Sequence, residues 1–210
     1  MKQSAKASAQ KGFTIVELLL ALAVFSFVLV FVTTAFLQLF RTYNRGVTRK
    51  EVNQNTRLLL DDITNKMRIV ADPALIDTSR VAQGRLCVGS YSYVWNPLGG
   101  TGTKINVNGQ QIAIVRIDND NLSACQATPT KYDFNSVQAT SMFTGRMAVQ
   151  SLTVTPQVGG VTGLFTVAVT ASTTQTNFLD SLLSTCKADN ISTAYCAKVS
   201  LQETIGLRNR

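Results

Sequence analysis

The feature that most constrains this chain is a long apolar segment near its N-terminus. No charged residue occurs from Leu18 to Phe40, and the apolar segment as a whole begins at Phe13. Residues 13–40 would form about 42 Å of α-helix, which exceeds the roughly 30 Å thickness of a bilayer's hydrocarbon core. The apolar side chains surround this helix on all sides, as a lipid-exposed segment requires. The sequence therefore predicts one membrane-spanning helix over residues 13–40.

One carboxylate lies inside this apolar segment. Glu17 follows Phe13 by four residues, and residues 1–12 before them form a small, polar leader that carries three lysines and ends in Gly12. A carboxylate at the centre of a membrane helix costs about 2.5–3.5 kcal/mol on insertion scales, although the cost is smaller near the membrane face. A glutamate in this position is therefore expected to have a function.

Two simpler explanations of the apolar segment are a secretory signal peptide and a plain membrane anchor. The tripeptide from Ala21 to Ala23 has the small-x-small form of a signal cleavage site, but residues 24–37 continue as apolar as before. That length disfavours a signal peptide. A plain anchor fits the length and leaves only Glu17 unexplained, so this alternative stays open.

The Gly12-Phe13 step, the glutamate four residues later and the uncharged segment together resemble the prepilin peptidase recognition segment of type IV pilins and type II secretion pseudopilins. In that family the leader ends at the glycine, the new N-terminal phenylalanine is N-methylated, and the glutamate directs assembly. The resemblance implies cleavage after Gly12, methylation of Phe13 and a role for Glu17 in filament assembly. It also implies a single pass through the cytoplasmic membrane with a cytoplasmic N-terminus and an extracytoplasmic head, followed by a place in a surface pilus or pseudopilus.

The charge of the chain does not fix its orientation and does not indicate nucleic acid as a partner. The formal net charge is +8; removing the three leader lysines from the 20 basic residues leaves 17 against 12 acidic residues, a net +5. Such a mild bias is not a nucleic-acid signature. Four cations follow the apolar segment and nearly balance the leader, so the positive-inside rule gives no clear answer. They are Arg41, Arg45, Arg49 and Lys50, and they either contact lipid headgroups or face water.

The helix is predicted to continue beyond the membrane to about residue 71. Side chains that suit a buried face recur there at spacings of three and four, the pattern of an amphipathic helix. They are Val52, Thr56, Leu59, Ile63, Met67 and Val70. Asp72-Pro73 ends the segment because a residue before proline disfavours the helical conformation. The pilin resemblance implies such a spine, with a membrane half over 13–40 and an amphipathic half over 41–71.

From about residue 80 the pattern becomes that of short strands, within a head domain over residues 72–210. Five segments are rich in β-branched or aromatic residues, at 85–89, 90–95, 111–117, 147–155 and 164–170. Turn signals separate them, at 96–100, 108–109, 118–120 and 159–160. The last two strands are predicted to form a hairpin. The predicted fold class is α+β, a long N-terminal helix packed on a C-terminal antiparallel β-sheet.

The C-terminal segment is predicted to be a closing strand. Residues 198–205 alternate in polarity, and the alternation breaks near Gly206. The ending from Leu207 to Arg210 resembles that of the W-type minor pilins and the J-type minor pseudopilins. This resemblance favours a minor pilin that primes assembly over a bulk subunit. The tip-most minor pseudopilin of the family typically lacks the assembly glutamate, so Glu17 argues against the extreme tip position.

Four cysteines lie in the predicted head, and an even number in an exported domain indicates two disulfides with three possible connectivities. They are Cys87, Cys125, Cys186 and Cys196. Pilins often close a C-terminal loop in this way, so the resemblance favours Cys186–Cys196 together with Cys87–Cys125. A zinc site is the alternative, but the chain has no histidine and no CxxC pair to provide ligand spacing.

The sequence contains no recognisable catalytic motif. The chain has no histidine, which removes the usual general base and the Ser-His or Cys-His pairings. No G-x-S-x-G, Walker or Rossmann glycine pattern occurs. Residues 118–121 have some likeness to a calcium loop but lack its glycine and distal glutamate. We therefore expect no enzyme activity, no cofactor and no metal.

Taken together, these observations predict a prepilin that becomes a structural subunit of a type IV pilus (fimbrium) or a related pseudopilus. The resemblance implies as partners other pilin subunits, the prepilin peptidase, membrane lipid, and an inner-membrane assembly platform with its ATPase. One alternative is a membrane-anchored extracytoplasmic adhesin or DNA-binding module that joins no filament. Another is a membrane-tethered exported enzyme. The choice among pilus, secretion pseudopilus and competence apparatus also stays open.

Overall fold

The computed structural model describes most of the helix and the regular part of the head. The described residues are 12–70, 72–95, 105–107, 110–112, 114–118, 125, 139–143, 147–157, 163–173, 186 and 195–207. The chain forms two compact units, one that ends at Thr42 and one that begins at Tyr43. Several predicted segments lie outside the described residues. They are leader residues 1–11, the turns at 96–100, 108–109 and 159–160, residues 119–120 of the turn at 118–120, and the C-terminal residues 208–210.

A single α-helix, α1, runs from Ile15 to Val70 and comprises 56 residues. The predicted long N-terminal helix is therefore confirmed. The helix ends where the sequence predicted, because Asp72 adopts an extended conformation (φ −104°, ψ 115°) before Pro73. Asp72 then caps a short 3₁₀ helix over Pro73–Leu75, and its side chain accepts a hydrogen bond from the Ala74 N–H at 2.9 Å.

Hydroxyl groups inside the apolar part of α1 bond to the helix's own backbone. The hydroxyls of Ser26 and Thr33 donate to the carbonyls four residues earlier, at 2.8 and 2.7 Å. The Thr34 hydroxyl donates to the carbonyl three residues earlier, at 2.8 Å. These side chains therefore have a partner without leaving the helix surface, which makes them compatible with an apolar environment.

In the part of the head that the structure describes there are ten strands in three sheets, and every strand pair among them is antiparallel. The strands are β1 Ile76–Asp77, β2 Arg85–Val88, β3 Tyr91–Trp95, β4 Ile105–Val107, β5 Gln110–Ile112, β6 Ile114–Ile117, β7 Ala139–Ser141, β8 Met147–Pro156, β9 Leu164–Thr173 and β10 Lys198–Gly206. The sheet orders are β1-β2-β3-β6-β7, β10-β9-β8 and β4-β5. The predicted α+β class is confirmed.

Most predicted strands are present, and one prediction needs correction. The segment 111–117 is not one strand, because its first part belongs to β5, which pairs with β4, and its second part is β6, which pairs with β3. The predicted hairpin is confirmed by the long antiparallel pairing of β8 and β9. The closing strand β10 continues to Gly206 and stays paired with β9 along its whole length, so Gly206 does not interrupt it.

One hydrophobic core joins the C-terminal part of α1 to both larger sheets. The helix residues that it buries are Val52, Thr56, Leu59, Leu60, Ile63, Thr64 and Met67. Five of the six predicted stripe residues are therefore buried, and Val70 is partly buried against the same core. Gly89 in the β2–β3 turn has a φ of 58°, and a Cβ there would lie 2.7 Å from Val70 Cγ2, so glycine suits both the turn and the close contact.

Polar contacts also link the helix to the sheets. The Tyr93 hydroxyl donates to Asp62 Oδ2 at 2.7 Å, and Arg116 donates to Asp62 Oδ1 at 2.8 Å. On β10, Glu203 lies on the half-buried face and accepts a hydrogen bond from Arg68 at 2.7 Å. These contacts fix the direction and register of the helix on the sheets more specifically than apolar packing alone.

Candidate functional site

The three residues Gly12, Phe13 and Thr14 precede the first turn of α1 and belong to no helix or strand. All three are exposed, and the Phe13 side chain is 82% accessible. Exposed, non-helical segments are the preferred sites of proteolysis because a protease must bind the backbone in an extended form. The Gly12–Phe13 bond is thus accessible to an enzyme at the start of the helix.

The fold of this chain does not itself require glycine at position 12. A Cβ on Gly12 would meet no heavy atom of the described residues within 4 Å, and its φ is not in the left-handed region. A residue with a side chain would fit here as far as the described contacts are concerned. Any requirement for glycine therefore comes from a partner that approaches the backbone closely.

Thr14 and Glu17 form a capping box at the N-terminus of α1. The backbone N–H and the hydroxyl of Thr14 both donate to Glu17 Oε2, at 3.0 and 2.9 Å. The Glu17 N–H donates back to the Thr14 hydroxyl at 3.3 Å. A threonine at the N-cap with a glutamate three residues later is the usual form of this motif. The box satisfies backbone N–H groups at a helix end, which an apolar environment cannot do.

The capping box gives Glu17 a role that the sequence analysis missed. The spacing Thr14-x-x-Glu17 immediately before an apolar run is the signal that could have revealed it. Only Oε2 takes part in the box, and Oε1 accepts no hydrogen bond from any residue that the structure describes. Glu17 can therefore cap its own helix with one oxygen and still accept a hydrogen bond from outside the chain with the other.

The N-terminal part of α1 presents an apolar surface without any protein cover. Every residue from Gly12 to Tyr43 is exposed, and this part of the helix is long and apolar enough to cross a membrane by length and composition. An apolar surface of this size is stable only against lipid or against other apolar helices. The site is therefore a helix terminus with a polar cap, followed by a surface that needs partners.

The four cysteines form two pairs, Cys87–Cys125 and Cys186–Cys196, which is the connectivity that the resemblance favoured. Their Cα–Cα distances are 5.9 and 5.8 Å, within the normal range for disulfides. In the described part of the chain, no group of three or more Asp, Glu, Cys or His side chains is arranged to hold a metal ion. The cysteines thus serve as covalent ties in the head.

Among the described residues of the head, the tyrosine Tyr93 has a strongly shifted pKa with a structural explanation. Burial, followed by the charge of Asp62, raises the pKa of Tyr93 far above its usual range. The hydrogen bond with Asp118 raises the pKa of Arg116, which keeps that guanidinium charged beside both carboxylates. Tyr93 therefore remains a hydrogen-bond donor to Asp62 at any physiological pH, and this cluster holds the helix on the sheet.

Comparison with known protein families gives a match that falls on the segment just described. Residues 7–33 match the prokaryotic N-terminal methylation motif. The match spans the Gly12–Phe13 bond, the capping box and the apolar segment as far as Thr33. No curated protein and no solved structure matches the chain significantly.

Proposed function

We propose, from a methylation motif typical of type IV pilins and pseudopilins, that this chain is a structural subunit of a type IV pilus or a related pseudopilus. The observation that carries the proposal is the position of the motif. The Gly12–Phe13 bond lies within the matched residues, in an exposed, non-helical segment directly before the apolar helix, and this supports cleavage at that bond. In this proposal the work of the chain is mechanical, and the chain performs no catalysis.

Processing by prepilin peptidase is the first step of the proposed function. The enzyme cleaves after Gly12, removes residues 1–12 and methylates the new amine of Phe13. The described contacts leave room for a side chain at Gly12, so the fold does not explain the glycine there. This supports recognition by the peptidase as the reason for glycine. Cleavage leaves Thr14 and Glu17 in place, so the mature helix keeps its capping box.

Assembly is the second step, and it uses the carboxylate of Glu17. The positive amine of one subunit's Phe13 approaches the Glu17 carboxylate of a neighbour. At a separation of 4 Å and an effective dielectric constant of 20, two opposite charges attract by about 4 kcal/mol. Each charge alone is unfavourable in an apolar environment, whereas the pair is neutral. The unoccupied Oε1 is the acceptor that such a neighbour would use.

The apolar surface of α1 is covered by lipid before assembly and by the helices of other pilin subunits afterwards. Transfer from one apolar environment to the other is driven by close packing and by the charged pair, since lipid is as apolar as the helix. An inner-membrane assembly platform and its ATPase would supply the directional movement. We assign the chain to the minor class because its ending Leu207–Arg210 resembles that of minor pilins.

The experiment that tests the function is an intact-mass measurement on protein extracted from membranes of cells with an active prepilin peptidase. The expected mass corresponds to loss of residues 1–12 and addition of one methyl group. Cells without the peptidase provide the control and should yield the full-length mass. A protein that keeps Lys11 and Gly12 in peptidase-positive cells would contradict the proposal and favour a membrane-anchored adhesin or DNA-binding module.

A further inference from the structure

A basic cleft lies in the head beside the Cys186–Cys196 disulfide. Its volume is about 210 Å³. The described residues that line it are Arg45, Arg49, Cys186, Cys196, Ala197 and Lys198. Two arginines therefore come from one turn of α1, at positions i and i+4, and the lysine comes from the first residue of β10. No acidic side chain is among these lining residues.

The arginines of this cleft differ from Arg68 and Arg116 of the head, which form ion pairs. Arg68 pairs with Glu203 at 2.7 Å, and Arg116 pairs with two aspartates at 2.8 Å. By contrast, Arg45 and Arg49 make no ion pair with any residue that the structure describes. Like charges at i and i+4 disfavour a helix, so this arrangement is costly to the isolated chain. The cleft thus has a local positive charge that an anion would neutralise.

The position of the cleft along α1 indicates which anion that is. Arg45 and Arg49 follow Phe40, the last residue of the uncharged segment, by five and nine residues, or by about 8 and 14 Å of helix. The polar headgroup layer on each side of the hydrocarbon is about 5–8 Å thick, so Arg45 lies at its outer edge. The Arg49 side chain, one turn further, reaches this layer by extending back toward the N-terminus of the helix. Two tyrosines near the cleft in sequence, Tyr43 and Tyr195, are exposed, and tyrosine is enriched at membrane interfaces. Asn44 donates to the Tyr195 hydroxyl at 3.4 Å.

We propose that this cleft binds the phosphate group of an anionic phospholipid on the leaflet that faces the head. Arginine suits this ligand because its planar guanidinium donates two parallel hydrogen bonds to phosphate oxygens. The Cys186–Cys196 disulfide fixes the wall from which Lys198 extends. The site goes beyond filament assembly and depends only on membrane insertion of the apolar helix.

The test measures lipid binding to the full-length chain in a neutral detergent by native mass spectrometry. The probes are phosphatidylglycerol, which carries a net negative charge, and phosphatidylcholine, which is neutral overall. Wild-type protein should retain phosphatidylglycerol in clear preference. The double variant Arg45→Gln/Arg49→Gln should bind it about 25-fold more weakly, about fivefold for each cation removed, the factor that corresponds to about 1 kcal/mol per cation near an anionic surface.

A matched control removes the same charge from the same helix. Lys50 and Arg57 are exposed and do not line the cleft. The variant Lys50→Gln/Arg57→Gln should therefore bind phosphatidylglycerol within twofold of wild type. Lys198→Gln provides an independent variant outside the helix, with an expected loss of about fivefold, should the double arginine variant not fold.

Three outcomes would overturn the proposal. Equal losses in the cleft and control variants would show that only overall charge matters. Equal retention of the two lipids by wild type would show no headgroup recognition. Cross-linking from Arg49→Cys to an acidic segment of a neighbouring subunit in filaments, with no lipid preference in the monomer, would assign the cleft to a protein contact.

Competition with inorganic phosphate distinguishes the source of the ligand. If inorganic phosphate displaces the lipid at millimolar concentration, the cleft binds free phosphate instead, and this result too would overturn the proposal.

Discussion

The two halves of α1 obey different physical requirements although they form one continuous helix. From Ile15 to Thr42 every side chain is exposed, and the polar contacts are local hydrogen bonds within one turn. From Tyr43 to Val70 seven side chains are buried in the core, and Asp62 and Arg68 bond to strands distant in sequence. The stability of the first half depends on lipid or other apolar helices around it, whereas the stability of the second half depends on its packing against the sheets. Substitutions in one half should therefore leave the property governed by the other unchanged.

The largest effect is expected in the second half. Leu59 is fully buried and its neighbour Leu58 is 63% exposed, so the two leucines form a matched pair. Leu59→Ala should lower the free energy of unfolding by about 2–5 kcal/mol because it leaves a cavity in the core. Leu58→Ala should change it by no more than about 0.5 kcal/mol. Chemical denaturation of the purified protein measures both, while the fraction cleaved at Gly12 serves as the readout of the first half. Equal destabilisation by the two variants would contradict the burial pattern.

The next effect concerns the first half and separates two roles of one side chain. Glu17→Gln keeps the size and the capping acceptor but removes the charge, whereas Glu17→Ala removes both. If the charge directs assembly, both variants should enter filaments poorly, since an attraction of about 4 kcal/mol is lost. Both should insert, be cleaved and keep the stability of the head.

Complementation of a deletion strain with each variant measures this, using cleavage by gel shift and pili in the sheared fraction. Thr14→Val is the matched control, because it removes the hydroxyl of the capping box and keeps the carboxylate. Normal piliation with Glu17→Gln would assign Glu17 to helix capping alone.

A smaller effect is expected from the disulfide Cys186–Cys196, which lies in the head. Cys186→Ser/Cys196→Ser should destabilise the exported domain by about 3 kcal/mol, by the loop-closure estimate for a loop of this size. Processing at Gly12 should not change. Non-reducing peptide mapping of the wild-type protein should first show Cys186 joined to Cys196. Free thiols at both positions, or Cys186 joined to Cys87, would refute the pairing.

Sequence patterns predicted the long helix and most strands because these depend on local periodicity. The stripe from Val52 to Met67 fixes one face of a helix, and the β-branched residues of β8 and β9 favour strands. The strand β7 was missed because Ala139-Thr140-Ser141 has no apolar alternation. The strand β7 forms because it pairs with the edge strand β6. The local sequence pattern cannot show which strand edges are free for pairing.

The candidate sites show the same division. Gly12, Phe13 and Glu17 are adjacent in sequence, so their resemblance to a processing segment was visible directly. The basic cleft was not visible in the sequence, because it is lined both by Arg45 on the helix and by Lys198 on the last strand. Only the pairing of β10 in the sheet and the packing of α1 bring these cations together. The capping box, in contrast, is a four-residue motif that a closer examination of Thr14 would have found.

The hydroxyl groups of the apolar helix have a consequence for the free energy of the proposed assembly. Ser26, Thr33 and Thr34 each donate to a carbonyl of the same helix, so their hydroxyls need no hydrogen-bond acceptor from the surroundings. If the helix exchanges lipid for neighbouring helices, as the proposed function requires, no hydrogen bond at these positions has to break or form. These hydroxyl groups therefore contribute almost nothing to the free energy of transfer between the two apolar environments. In the proposed filament these hydroxyls therefore favour neither the bilayer nor the assembled state, and the attraction that holds a subunit in place comes from the charged pair and from helix packing.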